Sequence, residues 1–524
     1  MTKPRNPAPA ATRKAPKAAR PPAPFHRTHE NLPPAQRPEG CDSRGNSYFG
    51  ARTSAPSRSA PAKAARPSPP AKPAAAQPGS ASRSQRTAAP GSAKKPDPRR
   101  LAGTSPKQPE ASKPRKSGFL GAQVTRRAAD RLRDGYLWVY ASDIEAIELP
   151  ADGNPPALLP VADSRGLLLG TALYSPTSQI ALRMVSREAI DEGAWLTLLA
   201  TRLRAAIARR KPFLTPDTNA CRLCFSEADE LPGLVADKYG DLVILQLLAK
   251  GLDSEAVREV CVRILREELA PAAIVERPDP RIRELEGLAA PNLAPLYAAN
   301  PESAASTEFR LNGLVFQFDA NSSQKTGAFL DQRDNYAAAA DWARELGTTG
   351  RALDVCCYQG GFALHLAQVC AQVTGIDASH ASLEVAERNL EANRSRLTAQ
   401  VDWVEADAFL ILRDWSDAGE TFDAIVLDPP AFAKSKRAVE GALRGYKELN
   451  LRALKMMRPG GLLITCSCSH HVGWADLEAS VASAAVDAHR RVRLLERRGP
   501  ALDHPVVFGL PETEYLKCLV LQVE

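Results

Sequence analysis

A chain of 524 residues with 44% hydrophobic and 24% charged side chains exceeds one ordinary domain, and its composition excludes wholesale disorder. No apolar run reaches the roughly 18 residues that a bilayer-spanning helix needs. The best, Leu242 to Leu248, is strand-length and interrupted by Gln246, so a transmembrane helix is excluded.

The net charge of +8 is unevenly placed: residues 1–117 hold 24 Lys/Arg against 5 Asp/Glu and 23 of the 43 prolines. The remaining residues, 118–524, carry 44 basic and 55 acidic side chains, so the body is acidic. A Pro/Ala/Ser-rich basic segment with few large apolar residues cannot bury enough surface to offset its ordering entropy. Residues 1–117 are therefore expected to be a disordered tail, serving either to bind polyphosphate by counterion release or merely to solubilise. Residues 1–29 lack acids, as transit peptides do, but their seven prolines oppose an amphipathic helix. No apolar core of a secretory signal is present either.

Among ten cysteines only Cys221 and Cys224 form a C-x-x-C, with no second pair beside it. That pattern favours a reducing cytoplasm over a disulfide framework and gives no support for a metal site. His365 and His380 fall in helix-like segments and read as structural.

From Gly118 onward, short apolar runs broken by Gly and Pro predict a small β-barrel over 118–188. Its strands include two around the Ser164-Arg165-Gly166 turn and one over Gln179 to Val185, after the aromatic run Gly135 to Tyr140. Trp138 and Tyr140 are either barrel-core aromatics or exposed stacking groups. A helix over Glu188 to Arg210, stopped by Pro212, opens a central α+β domain placed at 189–307. It continues as strand, helix and strand over Leu234 to Leu248, Ser254 to Leu269 and Ala272 to Arg277. Asn312-Gly313 marks a hairpin within Phe309 to Phe318. Helices then alternate with fully apolar strands through Cys466, which predicts a doubly wound parallel sheet in a domain at 308–524. The ligand of such a sheet lies at the carboxyl ends of its strands.

Four signals occupy successive strand ends. Asp354 precedes the turn Cys356 to Gly361, whose Gly360 and Gly361 admit a ligand close to the backbone and open a helix. Asp377 ends the second strand, where a carboxylate can accept both ribose hydroxyls. Asp407 follows the third strand and could meet an adenine amino group, and Asp428 follows the fourth. Asp354 would repel phosphate but suits the ammonio or sulfonium group of S-adenosylmethionine. The cofactor is therefore expected to be S-adenosylmethionine, held by Asp354, Tyr358, Gly360, Gly361, Asp377, Ala378, Asp407, Ala408, Asp428 and Pro429.

These segments resemble the class I methyltransferases, with their Rossmann-like fold. Within them they resemble the bacterial 23S rRNA 5-methylcytosine methyltransferases with an N-terminal PUA domain. The resemblance rests on Gln324 to Arg333 (QKTGAFLDQR), Asp428 to Lys436 (DPPAFAKSK), Gly135 to Tyr140, Leu231 to Gly240 (LPGLVADKYG), Asp503-His504-Pro505 and Tyr515-Leu516-Lys517. It covers about 118–524. It implies a cytoplasmic enzyme acting on 23S rRNA or a ribosomal precursor particle, not on a membrane, and it admits a homodimer. It also suggests RNA contacts at Lys325, Arg333, Phe432 and Lys436.

Carbon 5 of cytosine becomes nucleophilic only after a nucleophile adds at carbon 6, and a thiolate suits that role. Thr465-Cys466-Ser467-Cys468-Ser469 ends the fifth strand. Counting from Gly460-Gly461 as the family element runs, Cys468 falls on the family's cysteine, whereas Cys466 is expected to be buried. The catalytic residues expected are Cys468 and Asp428. Many RNA cytosine methyltransferases carry a second Cys after the Pro, which Asp428-Pro429-Pro430 lacks, so the base that removes the carbon-5 proton is open. Because Asp-Pro-Pro-Ala-Phe also resembles enzymes acting on nitrogens, guanine N7 or N2 methylation is the alternative. A small-molecule methyltransferase and a non-catalytic RNA-binding assembly factor are the remaining rivals.

Overall fold

The computed structural model describes residues 120–150, 156–277, 279–289, 294–300, 306–320 and 327–524, all within one compact unit, Pro90–Glu524. The disorder expected of residues 1–117, and Lys325 with its Gln-Lys-Thr neighbours, lie outside the described residues.

The first part is a six-stranded sheet with the order Trp138–Tyr140, Ile180–Ser186, Leu168–Tyr174, Leu158–Ala162, Gly121–Val124, Ile144–Glu148. Its two edge strands are joined by only Ala141–Asp143, so the sheet must curl until its edges approach, as a barrel does. The helix Arg126–Arg133, capped by the Thr125 hydroxyl, plugs it with buried Ala128, Ala129 and Leu132.

The second part packs helices Glu192–Arg210 and Glu255–Leu269 on a five-stranded sheet. The first helix starts later than its apolar spacing suggests, because the Asp191 carboxylate caps it by accepting from Ala194 N. Leu234 to Leu248, expected to be one strand, is instead the hairpin Leu234–Tyr239 and Leu242–Leu247. Gly240 makes the turn at φ +52°, where a Cβ would meet the Glu308 carbonyl at 2.5 Å.

After the hairpin Ser306–Leu311 and Leu314–Asp319 comes the largest sheet. Its strands are β1 Arg351–Val355, β2 Gln372–Asp377, β3 Gln400–Glu405, β4 Phe422–Leu427, β5 Met457–Ser467, β6 Val492–Arg498 and β7 Lys517–Val523. They lie in the order β3-β2-β1-β4-β5-β7-β6. The first five pair in parallel, but β7 runs antiparallel to both β5 and β6. The sheet is thus mixed at one edge rather than wholly parallel, because β6 and β7 return without a crossover helix between them.

Helices α1 Arg333–Glu345, α2 Gly361–Leu366, α3 His380–Asn393, α4 Ala408–Ala418, α5 Val439–Met456 and α6 Trp474–Asp487 cover its faces. Two core clusters result, one including Ala339, Phe362 and Leu390 and the other including Leu412, Leu449 and Leu477. α4 follows β3 where no helix was expected, and Asp407 marks its start as N-cap.

Candidate functional site

β1 runs into a tight turn in which Cys356, Tyr358 and Gly360 have φ of 65°, 50° and 82°. Two non-glycine residues in the left-handed region carry steric strain that the surroundings must hold. Here Cys357 N donates to Ile376 O at 2.9 Å, Gly360 N to Cys357 O at 2.8 Å, and Asn389 Nδ2 to Gln359 O at 2.9 Å. Gly361 has a packing reason of its own, since a Cβ there would lie 2.4 Å from the Tyr336 ring.

Asp354 is 0% exposed, and its Oδ2 accepts from Ala363 N at 2.8 Å. Its Oδ1 is buried with no hydrogen-bond partner among the described residues. Burial, helped by the carboxylates of Asp428 and Asp377 and opposed by the Ala363 amide, pushes its carboxyl up to about 8. Asp377, half-buried at the end of β2, accepts from Tyr358 N on Oδ2 and Ser379 N on Oδ1, both at 2.9 Å. One carboxylate therefore ties the β1 turn to the β2 end, while each oxygen retains a second lone pair. Ala378 beside it is exposed. Asp407 is exposed, its Oδ1 accepting from Phe409 N and Leu410 N at the start of α4, with Ala408 half-buried behind it. Asp428 is half-buried and accepts from Gln332 Nε2 at 3.0 Å, while Pro429 is buried.

The four acids thus line the carboxyl ends of β1, β2, β3 and β4. A buried, unpartnered carboxylate oxygen invites a cationic or hydrogen-bonding group. The residues present therefore fit an amino-acid nucleoside such as S-adenosylmethionine.

The fifth strand end supplies the sulfur. Cys466 is 0% exposed within β5 and faces Cys518 across the β5–β7 ladder. The Cys518 thiol and burial together push its own thiol well above the usual range. Cys468 lies one residue past the strand, half-buried, its thiol 3.9 Å from the Pro429 carbonyl. Its neighbours on both sides are fixed. Ser467 Oγ donates to Tyr446 OH at 2.8 Å, the Tyr446 and Ser469 hydroxyls are 3.0 Å apart, and Ser469 Oγ accepts from Ala433 N at 3.1 Å. Lys517, 2% exposed, donates from Nζ to the Ser469 carbonyl at 3.1 Å.

Three of the residues expected to meet RNA lie among the described residues. Arg333 is 4% exposed, with Nη1 3.0 Å from Asp503 Oδ2 and Nε 2.9 Å from Asp334 Oδ1. Its role is corrected to that of a structural cation, because a buried paired guanidinium has no surface to offer a phosphate. The Phe432 ring packs on Tyr446 and Phe409, centroids 4.9 and 5.8 Å away. Lys436 is exposed, in the turn after Ser435. Gln332 and Lys517 are further residues of the site, within the Gln324 to Arg333 and Tyr515-Leu516-Lys517 stretches. Burial, which alone distinguishes them, has no sequence signature for a polar residue.

Residues 122–187 match the family described as a PUA-like domain, and residues 230–507 match that of S-adenosylmethionine-dependent methyltransferases. The "Ribosomal RNA large subunit methyltransferase I" of Tolumonas auensis is 37% identical over 388 residues, covering 74% of this chain and 94% of that protein. That of Photobacterium profundum is 36% identical over 394 residues, covering 74% and 95%. A Streptococcus mutans protein described as a SAM-dependent methyltransferase superposes with a TM-score of 0.63 at 19% identity, covering 77% of this chain and all of that one. The last likeness concerns the fold alone. The chain belongs to the family of S-adenosylmethionine-dependent methyltransferases, with a PUA-like domain ahead of the catalytic domain, and it is an enzyme that uses S-adenosylmethionine.

Proposed function

We propose that this enzyme methylates carbon 5 of a cytosine in 23S rRNA, with Cys468 as the attacking nucleophile. The observation that carries the reading is the position of Cys468. It lies beyond the end of β5, half-buried, 3.9 Å from the carbonyl of the Asp428-Pro429-Pro430 segment at the end of β4. The relatives named as large-subunit rRNA methyltransferases support rRNA as the substrate.

Bound S-adenosylmethionine supplies a methyl group on a sulfonium. Asp354 would face the ammonium of its amino-acid part, Asp377 the ribose hydroxyls, and Asp407 the adenine amino group, with the Cys356–Gly361 turn among the residues that would hold it. The Cys468 thiolate would form a bond to cytosine carbon 6, and the electron pair displaced onto carbon 5 would take the methyl group as its bond to the sulfonium breaks and the sulfur keeps that pair as a neutral thioether. Loss of the carbon-5 proton then lets the Cys468–carbon 6 bond break, returning the thiolate. Asp428, fixed by Gln332, is the group at the site proposed to receive that proton. A flipped or unpaired base is required for carbons 5 and 6 to reach this cleft.

The test is 23S rRNA carrying 5-fluorocytosine at the target. Fluorine cannot leave as a proton does, so the wild type should form a stable adduct and Cys468→Ala should form none while binding S-adenosylmethionine normally. Near-normal methylation by Cys468→Ala, with 7-methylguanine or N2-methylguanine among the digested nucleosides, would replace this reading with nitrogen methylation.

A further inference from the structure

Beside the strand ends lies a cavity of about 410 Å³ that the reaction as described does not use. Its walls come from three parts of the chain: Trp138 from the first sheet, Arg222 and Phe225 from the second, and Phe329, Asp331 and Tyr515 from the catalytic domain. None of Asp354, Asp377, Asp407, Asp428 and Cys468 lines it, although its Tyr515 wall lies close enough to Cys468 to feel its charge.

The rings around it are fixed in place. Trp138 Nε1 donates to Glu227 Oε1 at 2.9 Å, and Tyr515 OH donates to Asp331 Oδ2 at 2.6 Å. The Phe225 ring sits 6.2 Å from that of Tyr515 and 5.3 Å from the Arg222 guanidinium. Aromatic faces held this way lose little freedom when a planar ring stacks on them.

The charges say which planar ring. Arg222 is committed to buried Asp237 by bonds of 2.8 and 2.9 Å, and among the described residues the lining contains no lysine. The carboxylates of Glu227, Asp279, Asp331 and Glu512 also line the cavity. Such a lining disfavours phosphate and offers acceptors to exocyclic amino groups.

We propose that this cavity takes an unpaired, amino-bearing nucleobase of the RNA substrate, other than the base that is methylated. The inference rests on the RNA substrate proposed above, not on the carbon-5 chemistry. The back wall of the cavity gives its occupancy a consequence. The Phe329 ring meets the edge of Tyr358 at 4.9 Å, and Gln332, next to Asp331, holds Asp428. A base stacked in the cavity therefore braces the segment that positions both residues.

RNA binding is measured on the full chain by fluorescence anisotropy with a 23S rRNA fragment containing the target. Trp138→Ala and Phe225→Ala should each weaken it about 5- to 150-fold, the range for loss of one base–aromatic stack. Calorimetric affinity for S-adenosylmethionine should stay unchanged, and Trp138→Phe should retain most RNA binding. Abasic ribose scanned through the fragment should locate one nucleotide, not the methyl acceptor, whose removal costs the same factor, and uracil there should also bind worse. Combined with Trp138→Ala, that abasic site should add less than its full loss, because part of the stack is already gone. Wild-type affinity in the alanine variants, or fully additive losses at every abasic position, would overturn the proposal alone. A wild type that binds no 23S fragment yet binds S-adenosylmethionine would overturn the RNA reading and this inference with it.

Discussion

The ammonium of Lys517 lies 3.1 Å from the carbonyl oxygen of Ser469, the residue that follows Cys468. Lys517 also stands opposite Ser467 in the β5–β7 ladder, so it flanks the cysteine from a second strand. Burial lowers its pKa, against the opposing pull of Glu514, Cys468 and Asp476. Tyr446 and Tyr515, whose own pKa values burial raises, also feel Cys468. A cation at this place favours the thiolate over the thiol. Lys517→Met should shift the pH profile of Cys468 alkylation by iodoacetamide to higher pH by about one unit. Lys517→Arg should shift it less. An unmoved profile in the Met variant would reduce Lys517 to a packing role.

Asp354 should make the protein without its cofactor less stable than it could be. Its carboxyl is raised from 3.8 to about 8 in the folded state. Between those values the unfolded chain has lost the proton and the folded chain keeps it, so this group's contribution to stability falls as pH rises. Without cofactor, Asp354→Asn should therefore melt higher than wild type above pH 4, with the gap widening until about pH 8. The same variant should bind S-adenosylmethionine more weakly. Melting curves that coincide across this range would show that the carboxylate is already satisfied.

Asp377→Ala should weaken cofactor binding by about 1.5–3 kcal/mol, the worth of charged hydrogen bonds, or about 10- to 150-fold in calorimetry. Part of the loss arises inside the protein, because the Tyr358 and Ser379 amides both donate to this carboxylate. Asp377→Asn keeps one acceptor and should fall between the two. Unchanged affinity in the Ala variant would mean that the ribose lies elsewhere.

What the sequence made legible follows from local chemistry. The 313 turn, the strand-end acids and the apolar strands β1, β2 and β4 are all written in residue type and period, and they reappear as expected. The antiparallel β7 was not legible, because its apolar run Cys518 to Val523 reads the same in either direction. The strained φ of Cys356 and Tyr358 has no signal either, since neither residue type favours the left-handed region. The cavity at Trp138, Phe225 and Tyr515 escaped for a different reason: its walls are hundreds of residues apart in the chain. Arg333 misled because a basic residue inside a motif looks alike whether it faces RNA or a buried carboxylate.

That last distinction is measurable. Arg333 Nη1, Arg222 N and the His504 ring all converge on the Asp503 carboxylate, at 3.0, 2.8 and 3.1 Å. Against the cost of burial, His504, Arg333 and the Arg222 amide hold that carboxyl down at about 2. A depressed folded-state pKa contributes stability that is present above the unfolded value of 3.8 and is lost as pH falls toward 2. Arg333→Met removes one of three partners of a carboxylate that is 0% exposed, and should cost about 3–5 kcal/mol in urea denaturation at neutral pH. It should also shrink the stability lost on acidification, because Asp503 then titrates nearer its unfolded value. If Arg333 contacted a phosphate, the variant would instead flatten the salt dependence of RNA binding by about one counterion. With the guanidinium buried and paired, the slope should match wild type in conditions where both proteins are fully folded. A flattened slope with unchanged urea stability would return Arg333 to the RNA-binding surface.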